Sequence, residues 1–240
     1  MLSAICRFVF ILLLVVLDRL LFRYDVTWVG ANPQKPFTGM RLFVFLNHTS
    51  LFDPILFSAI FPLAGVWDAA KRGIAPIADI TFNRKIGFIF KSFVSTSKSL
   101  SRKRDETWRR FLDSVGPRSI VYIAAEGRMM RRSGLDKDGN PLTVRGGVAD
   151  VLIKLGSGRM IVAYSGGVHH VFAPGDKFPR FFKTLKIRCE LLEIADYIRE
   201  IDRTRTTESF RAAVIRDLER RKTIHCPRSH DTRLPIGLGC

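Results

Sequence analysis

The run Asn47-His48-Thr49-Ser50-Leu51-Phe52-Asp53-Pro54 places an imidazole five positions ahead of a carboxylate. Histidine titrates closest to neutral pH. It can take a proton from a hydroxyl if a second group fixes its tautomer and stabilises the imidazolium that forms. An aspartate within reach does both. Asp53-Pro54 also reads as a helix start, an N-capping carboxylate followed by proline in the first turn. The two readings are compatible if the preceding apolar run is a strand that turns into that helix. His48 and Asp53 are therefore the candidate catalytic pair, and Asn47 is a candidate substrate contact beside them. As a bare spacing His-x4-Asp arises readily by chance, so its surroundings must support it.

A second cluster follows the apolar run 120–124, where Ala125-Glu126-Gly127-Arg128-Met129-Met130-Arg131-Arg132 brings together a carboxylate, a glycine and several arginines. Guanidinium forks match phosphate oxygens, and glycine lets the backbone approach a ligand closely. Glu126, Gly127, Arg128 and Arg131 are candidate substrate-binding residues. A solvated basic turn is the plain alternative for this segment. His169 and His170 follow a strand and Gly166-Gly167, yet no carboxylate lies at a telling spacing. Adjacent side chains point apart in extended chain, so these histidines read as structural or surface groups.

Strand-length apolar runs at 42–46, 65–69, 119–124, 160–165 and 185–192 alternate with helix-like stretches at 54–61, 104–115 and 147–155. This alternation predicts an α/β fold with a central, mostly parallel sheet flanked by helices, and ligands beyond strand ends. A last helix starts near Thr206 or Thr207 and carries Phe210, Val214 and Leu218 at i, i+4 and i+8. After Lys222 the periodicity stops. The expected layout is residues 1–23 as a membrane anchor, 24–222 as the α/β domain and 223–240 as a tail.

Residues 8–17 are uninterrupted apolar, a run of ten. A spanning helix needs about 20 such residues, so an interfacial or re-entrant anchor fits better unless Arg7 snorkels to lengthen it. No small-x-small cleavage site follows, so the segment reads as retained.

The 240 residues carry 39 Lys and Arg against 22 Asp and Glu, a formal charge of +17. With 47% hydrophobic residues the chain is a folded domain rather than a disordered one. The four cysteines, Cys6, Cys189, Cys226 and Cys240, form no CxxC pair and have no histidine at zinc-ligand spacing. Neither a metal site nor a disulfide framework is expected, and a cytoplasmic, reducing setting fits. The basic excess implies an anionic partner: nucleic acid, an acidic membrane surface or a phosphate-bearing substrate. No nucleic-acid reading motif is present and most aromatics are Phe within apolar runs, so nucleic acid is not the expected partner. Phe178-Pro179-Arg180-Phe181-Phe182-Lys183 interleaves rings with cations, which suits a lipid headgroup boundary and equally fits core and surface alternation.

Taken together, Asn47-His48-x4-Asp53 after one strand and Glu126-Gly127 after a later one resemble the glycerolipid acyltransferase family, whose bacterial members include lysophosphatidate acyltransferases. The resemblance spans roughly residues 40–170. It implies that His48 and Asp53 are the catalytic pair and that the Glu126-Gly127 block, Pro-Glu-Gly-Thr-Arg in the family, binds the acceptor's phosphate. Here Ala125, Arg128 and Met129 replace the proline, threonine and final arginine, so Arg128 or Arg131 would supply the missing charge. The family's intermediate arginine falls near Phe93-Val94-Ser95-Thr96-Ser97-Lys98, which nominates Lys98, with Arg84 as the earlier cation. Thr143-Val144-Arg145-Gly146-Gly147 is similar to the family's basic-Gly helix start, which nominates Arg145.

The implied activity is O-acyl transfer in phospholipid biosynthesis. Acyl-CoA or acyl carrier protein is the donor, a lysophospholipid, 1-acyl-sn-glycerol 3-phosphate first, is the acceptor, and no cofactor is needed. Another acceptor, such as a lyso-amino lipid, or a non-enzymatic basic membrane or nucleic-acid binding protein, is the alternative. Membrane lipids are expected partners, with the protein on the cytoplasmic face of the inner or plasma membrane by the positive-inside bias.

Overall fold

The computed structural model describes residues 3–50, 52–83, 87–101 and 105–228. In chain order the elements are α1 (Ala4–Leu21), β1 (Arg23–Trp28), β2 (Met40–Leu46), α2 (Asp53–Ser58), α3 (Leu63–Arg72), β3 (Gly73–Ala78), α4 (Asp79–Phe82) and α5 (Gly87–Phe93), then β4 (Thr96–Leu100), α6 (Glu106–Asp113), β5 (Ile120–Ala124), α7 (Gly147–Leu155), β6 (Arg159–Ser165), α8 (His169–Phe172), β7 (Thr184–Glu193), α9 (Ile194–Thr204) and α10 (Phe210–His225). The strands form one seven-stranded sheet, ordered β1-β7-β6-β2-β5-β3-β4. Every pairing is parallel except β6 with β7. The predicted class, a mostly parallel sheet flanked by helices, is the one observed.

β2 lies at the centre and is apolar on both faces, as a strand covered by helices on each side must be. Leu42, Val44 and Leu46 face a core completed by Val148, Leu152 and Leu155 of α7, Tyr197 of α9, and Val214 and Leu218 of α10. Phe43 and Phe45 face the opposite layer, with Ile11 and Val15 of α1, Phe57 of α2, and Val66 and Ala70 of α3. Period-two alternation in the strands assigns each residue to one layer.

Some expected elements differ. Residues 65–69 lie inside α3, because Val66 and Ala70 at i, i+4 make its buried face; a short apolar run does not by itself separate strand from helix. The strand of that region is β3, whose Pro76 pairs only with β4, so its missing N–H removes no bond to β5. The edge strands β1 and β4 are Arg23-Tyr24-Asp25-Val26-Thr27-Trp28 and Thr96-Ser97-Lys98-Ser99-Leu100, too polar to stand out as apolar runs. α10 starts at Phe210, capped by Ser209 Oγ accepting from the Ala212 amide, and it runs three residues past Lys222. Residues 229–240 of the expected tail, and residue 104 of the helix expected at 104–115, lie outside the described residues. Cys6 and Cys189 are free thiols.

Among the described residues no helix is long and apolar enough to cross a membrane. α1 is instead docked on the domain. Arg7, 8% exposed, donates to the Ala70 carbonyl in α3, and Arg19 donates to the Ala59 and Phe61 carbonyls just beyond α2. Arg7 and Arg19 thus fasten the helix through carbonyls at or beyond the ends of α2 and α3. The opposite face of α1, with Ile5, Val9, Leu13, Val16, Leu17 and Leu20, is apolar and exposed.

Candidate active site

β2, β5 and β6 run parallel and end together at Leu46, Ala124 and Ser165. The chain leaves β2 through Asn47, held at φ +65°, a left-handed conformation that asparagine tolerates better than most residues. Two bonds hold this turn. The Asn47 amide donates to Glu126 Oε1 at 2.7 Å, and Asn47 Nδ2 donates to the Ser165 carbonyl at 2.9 Å. The turn after β2 is thereby tied to both neighbouring strand ends.

The next residue is His48. Its Nδ1 lies 2.8 Å from Asp53 Oδ2, and the same oxygen accepts the Thr49 and Ser50 amides at 2.8 and 3.1 Å. Asp53 is fully buried, while the His48 side chain is 14% exposed. Its ring packs edge-on against Phe45 at 5.3 Å. Asp53 does not cap α2; it is the first helical residue, and its carboxylate turns back on the loop. An ionised acceptor at Nδ1 sets the tautomer, so Nδ1 carries the proton and Nε2 presents its lone pair. Among the described residues no group hydrogen-bonds Nε2. The pair anticipated from spacing is therefore assembled with the geometry of a general base and its orienting carboxylate.

The other expected site residues divide into four groups. Asn47 and Glu126 are 3% and 0% exposed, and Asn47 bonds Glu126 Oε1 and the Ser165 carbonyl, which makes both part of the scaffold of the turn, while Glu126 Oε2 has no hydrogen-bond partner among the described residues. Burial raises the Glu126 carboxyl above its ordinary range, opposed first by Lys222 and then by the Asn47 amide and His48. Gly127, at φ +61°, completes the tight turn after β5, and the Arg145 side chain passes beside it.

Arg128 is occupied. Its guanidinium pairs with Asp136 and, at 3.1 Å, with Asp138, which closes the 128–141 loop on itself. The Asn140 amide and then Arg128 hold Asp136 well below the usual carboxylate range. Both carboxylates meet the same Nη1, so they balance the Arg128 charge within the loop, and Arg128 is less available to an acceptor's phosphate than a cation without such partners. Arg132 likewise pairs with Asp176 at 2.9 Å.

Arg131 and Arg145 are exposed and form no ion pair with the described residues. The Arg145 amide donates to the Ala125 carbonyl at 2.8 Å, which seats it directly beside the Glu126-Gly127 turn. The Arg131 amide bonds the Leu135 carbonyl, and the Met130 amide bonds the His48 carbonyl at 2.7 Å, so both cations border the His48 turn through the backbone. Lys98 sits within edge strand β4, three strands from β2, a separation of about 14 Å at ordinary strand spacing. It is not brought to His48, and Arg84 lies outside the described residues.

No family model matches the sequence, and no curated protein matches it. Among solved structures, the crystal structure of the 1-acyl-sn-glycerophosphate (LPA) acyltransferase PlsC from Thermotoga maritima is similar at 15% identity, with a TM-score of 0.47, over 85% of this chain and 74% of that one. A likeness at that level does not bear on function, which rests on the site's own geometry.

His169, expected to be structural or at the surface, is 2% exposed with its Nε2 2.9 Å from the Met130 carbonyl, and supports the segment that holds His48. One feature escaped the sequence: Lys222, near the end of α10, reaches Glu126 from nearly a hundred residues away. That signal is not local, so no spacing rule would find it.

Proposed function

We propose that the protein is an O-acyltransferase that moves a fatty acyl group from the thioester of acyl-CoA or acyl carrier protein to a lysophospholipid hydroxyl, with 1-acyl-sn-glycerol 3-phosphate as the first acceptor to test. The observation that carries the reading is the His48–Asp53 pair: a buried carboxylate fixed by two backbone amides and bonded to an imidazole whose other nitrogen is open. His48 Nε2 takes the acceptor's hydroxyl proton as the oxygen attacks the thioester carbonyl. A C–O bond forms, the C–S bond breaks, and the imidazolium returns the proton to the leaving thiolate. Asp53 holds the tautomer and stabilises the transient positive charge. No covalent acyl-enzyme and no cofactor are needed.

Arg145 and Arg131 are the cations available for the acceptor's phosphate. Because Arg128 is engaged by Asp136 and Asp138, another acceptor such as a lyso-amino lipid is the second reading. The setting we propose is the cytoplasmic face of a membrane. The exposed apolar face of α1 is continued by Leu63 and Trp67 of α3, Trp67 meeting Phe8 edge to face, and by Phe181, whose ring packs on Phe22. Phe178 and Phe182 are also exposed, with Arg180 and Lys183 between and beside them. An amphipathic helix backed by rings and cations suits lying in a headgroup layer rather than crossing it.

The test is transfer of labelled acyl chains to lysophosphatidate by purified protein in lipid, with His48→Ala as control. His48-dependent product supports both chemistry and acceptor. Product only with other lyso-lipids moves the acceptor. No product from either donor across the panel overturns the reading in favour of a binding role.

A further inference from the structure

The C-terminal half of α10 turns toward the sheet end that holds His48, although none of its residues reaches the dyad. Glu219 Oε1 accepts the Val144 amide at 2.5 Å, and Lys222 Nζ donates to the Leu142 carbonyl at 3.0 Å. These contacts clamp the segment that leads into Arg145. Lys222 is also paired with Glu219 at 2.9 Å and lies 3.9 Å from Glu126 Oε1. Lys222 is 9% exposed and Glu126 is sealed. A lysine is seldom buried to this degree unless a charge partner requires it.

Glu126 Oε1, the oxygen facing Lys222, is also the acceptor of the Asn47 amide, and Asn47 is the left-handed residue that presents His48. Three elements distant in sequence therefore meet in one chain of contacts: Lys222 on α10, Glu126 after β5, and Asn47-His48 after β2. The groups that face Glu126 are Lys222, His48 and the Asn47 amide, with Glu219 facing Lys222 from the same helix.

We propose that Lys222 is a positioning residue for the acyl transfer, its ammonium facing Glu126 Oε1 so that this oxygen grips the Asn47 amide and holds His48 in its attacking orientation. The inference rests on the proposed acyltransferase reading for its kinetic consequence but not for its structural one. An ionised acceptor makes a hydrogen bond roughly twice as strong as a neutral one, and a turn at positive φ depends on such a tether. Without Lys222 the desolvation of Glu126 has no cationic counterweight beyond His48 itself, and the carboxyl takes up a proton at higher pH. The Asn47 tether then slackens. A misplacement of His48 on the order of 1 Å costs up to about a hundredfold in rate without loss of substrate affinity.

The test compares wild type, Lys222→Met, Lys222→Arg and Glu126→Gln, each checked for folding by circular dichroism, with two readouts. The first needs no activity: the Asn47 amide proton is followed by NMR from pH 5 to 9. An amide bonded to a carboxylate shifts upfield when that carboxylate is protonated. In Lys222→Met the midpoint should rise by about one pH unit or more relative to wild type, as loss of a charge within ordinary ion-pair reach implies. Lys222→Arg should restore it, and Glu126→Gln should abolish the titration. An unchanged midpoint in Lys222→Met overturns the proposal whatever the enzyme does. The second readout is the rate profile. Lys222→Met should lower kcat at neutral pH about tenfold or more, with KM within twofold, shift the acid limb to higher pH, and recover with Lys222→Arg. Adding Glu126→Gln should cost nothing further, since both act through one contact. A kcat loss with an unshifted pH profile, or a loss confined to KM, counts against it. If wild type transfers no acyl group while the amide titrates as expected, the acyltransferase reading fails and the control of Glu126 by Lys222 stands.

Discussion

Asp53 Oδ2 accepts three hydrogen bonds at once, from His48 Nδ1 and from the amides of Thr49 and Ser50. The carboxylate is thus held by the loop it orients. A buried carboxylate held by that many donors is fixed in place, which an imidazole partner requires if the ring is to present one nitrogen consistently.

Replacing either member of the pair should separate chemistry from folding. His48→Ala should lower acyl-transfer kcat by about 10²- to 10⁴-fold, the usual contribution of a positioned general base. Asp53→Asn should also lose most activity, because an amide can bond Nδ1 in the wrong tautomer. Initial rates with labelled acyl-CoA, alongside circular dichroism, distinguish the outcomes; near-normal turnover in His48→Ala would remove the assignment.

The arginines should divide by role. Arg145→Ala, and less strongly Arg131→Ala, should raise KM for lysophosphatidate about tenfold, the loss expected for one partly solvated charge-assisted contact. Arg128→Ala should leave that KM alone and instead lower the melting temperature, since it releases Asp136 and Asp138 in the 128–141 loop. The reverse pattern would return Arg128 to the phosphate site.

A pH dependence of stability follows from Asp18. It is 5% exposed on the docked face of α1, and burial pushes its carboxyl from 3.8 up to about 7. The folded chain keeps this group protonated where the unfolded chain has lost the proton. Its contribution is therefore full below about pH 4 and declines as pH rises through about 7. Asp18→Asn should match wild type at pH 4 and melt several degrees higher at pH 8, read by thermal scans at both values. Identical curves at pH 8 would mean that Asp18 is solvated in the folded chain.

Membrane attachment is best tested on the outer face of α1. Deleting residues 1–23 would strip Ile11 and Val15 from the core beneath and discard the Arg7 and Arg19 contacts. Leu13→Ser with Leu20→Ser alters two exposed side chains, 65% and 70% accessible, and leaves that packing intact. Binding to vesicles containing anionic lipid should weaken about a hundredfold or more, the scale of losing two leucines' worth of apolar burial at about 1.5 kcal/mol or more each. Unchanged sedimentation with vesicles would exclude α1 as the contact.

The sequence by itself determined the α/β class, because apolar runs of strand length alternate with helical periodicity. It nominated His48 and Asp53 as a pair, but a His-x4-Asp spacing arises readily by chance, and it is the turn after β2 that brings Nδ1 to Asp53 Oδ2. It was silent on β1 and β4, edge strands too polar to register as apolar runs, and it placed a strand in α3, where a run this short has no decisive period. Only the tertiary structure decided which cations face the site. Arg128 is paired with two aspartates that its spacing does not advertise, Lys98 lies on the far edge strand, and Lys222 arrives from α10, distant in sequence. Local periodicity is written in neighbouring residues; charge pairing between distant segments is settled by where the sheet and its helices bring them.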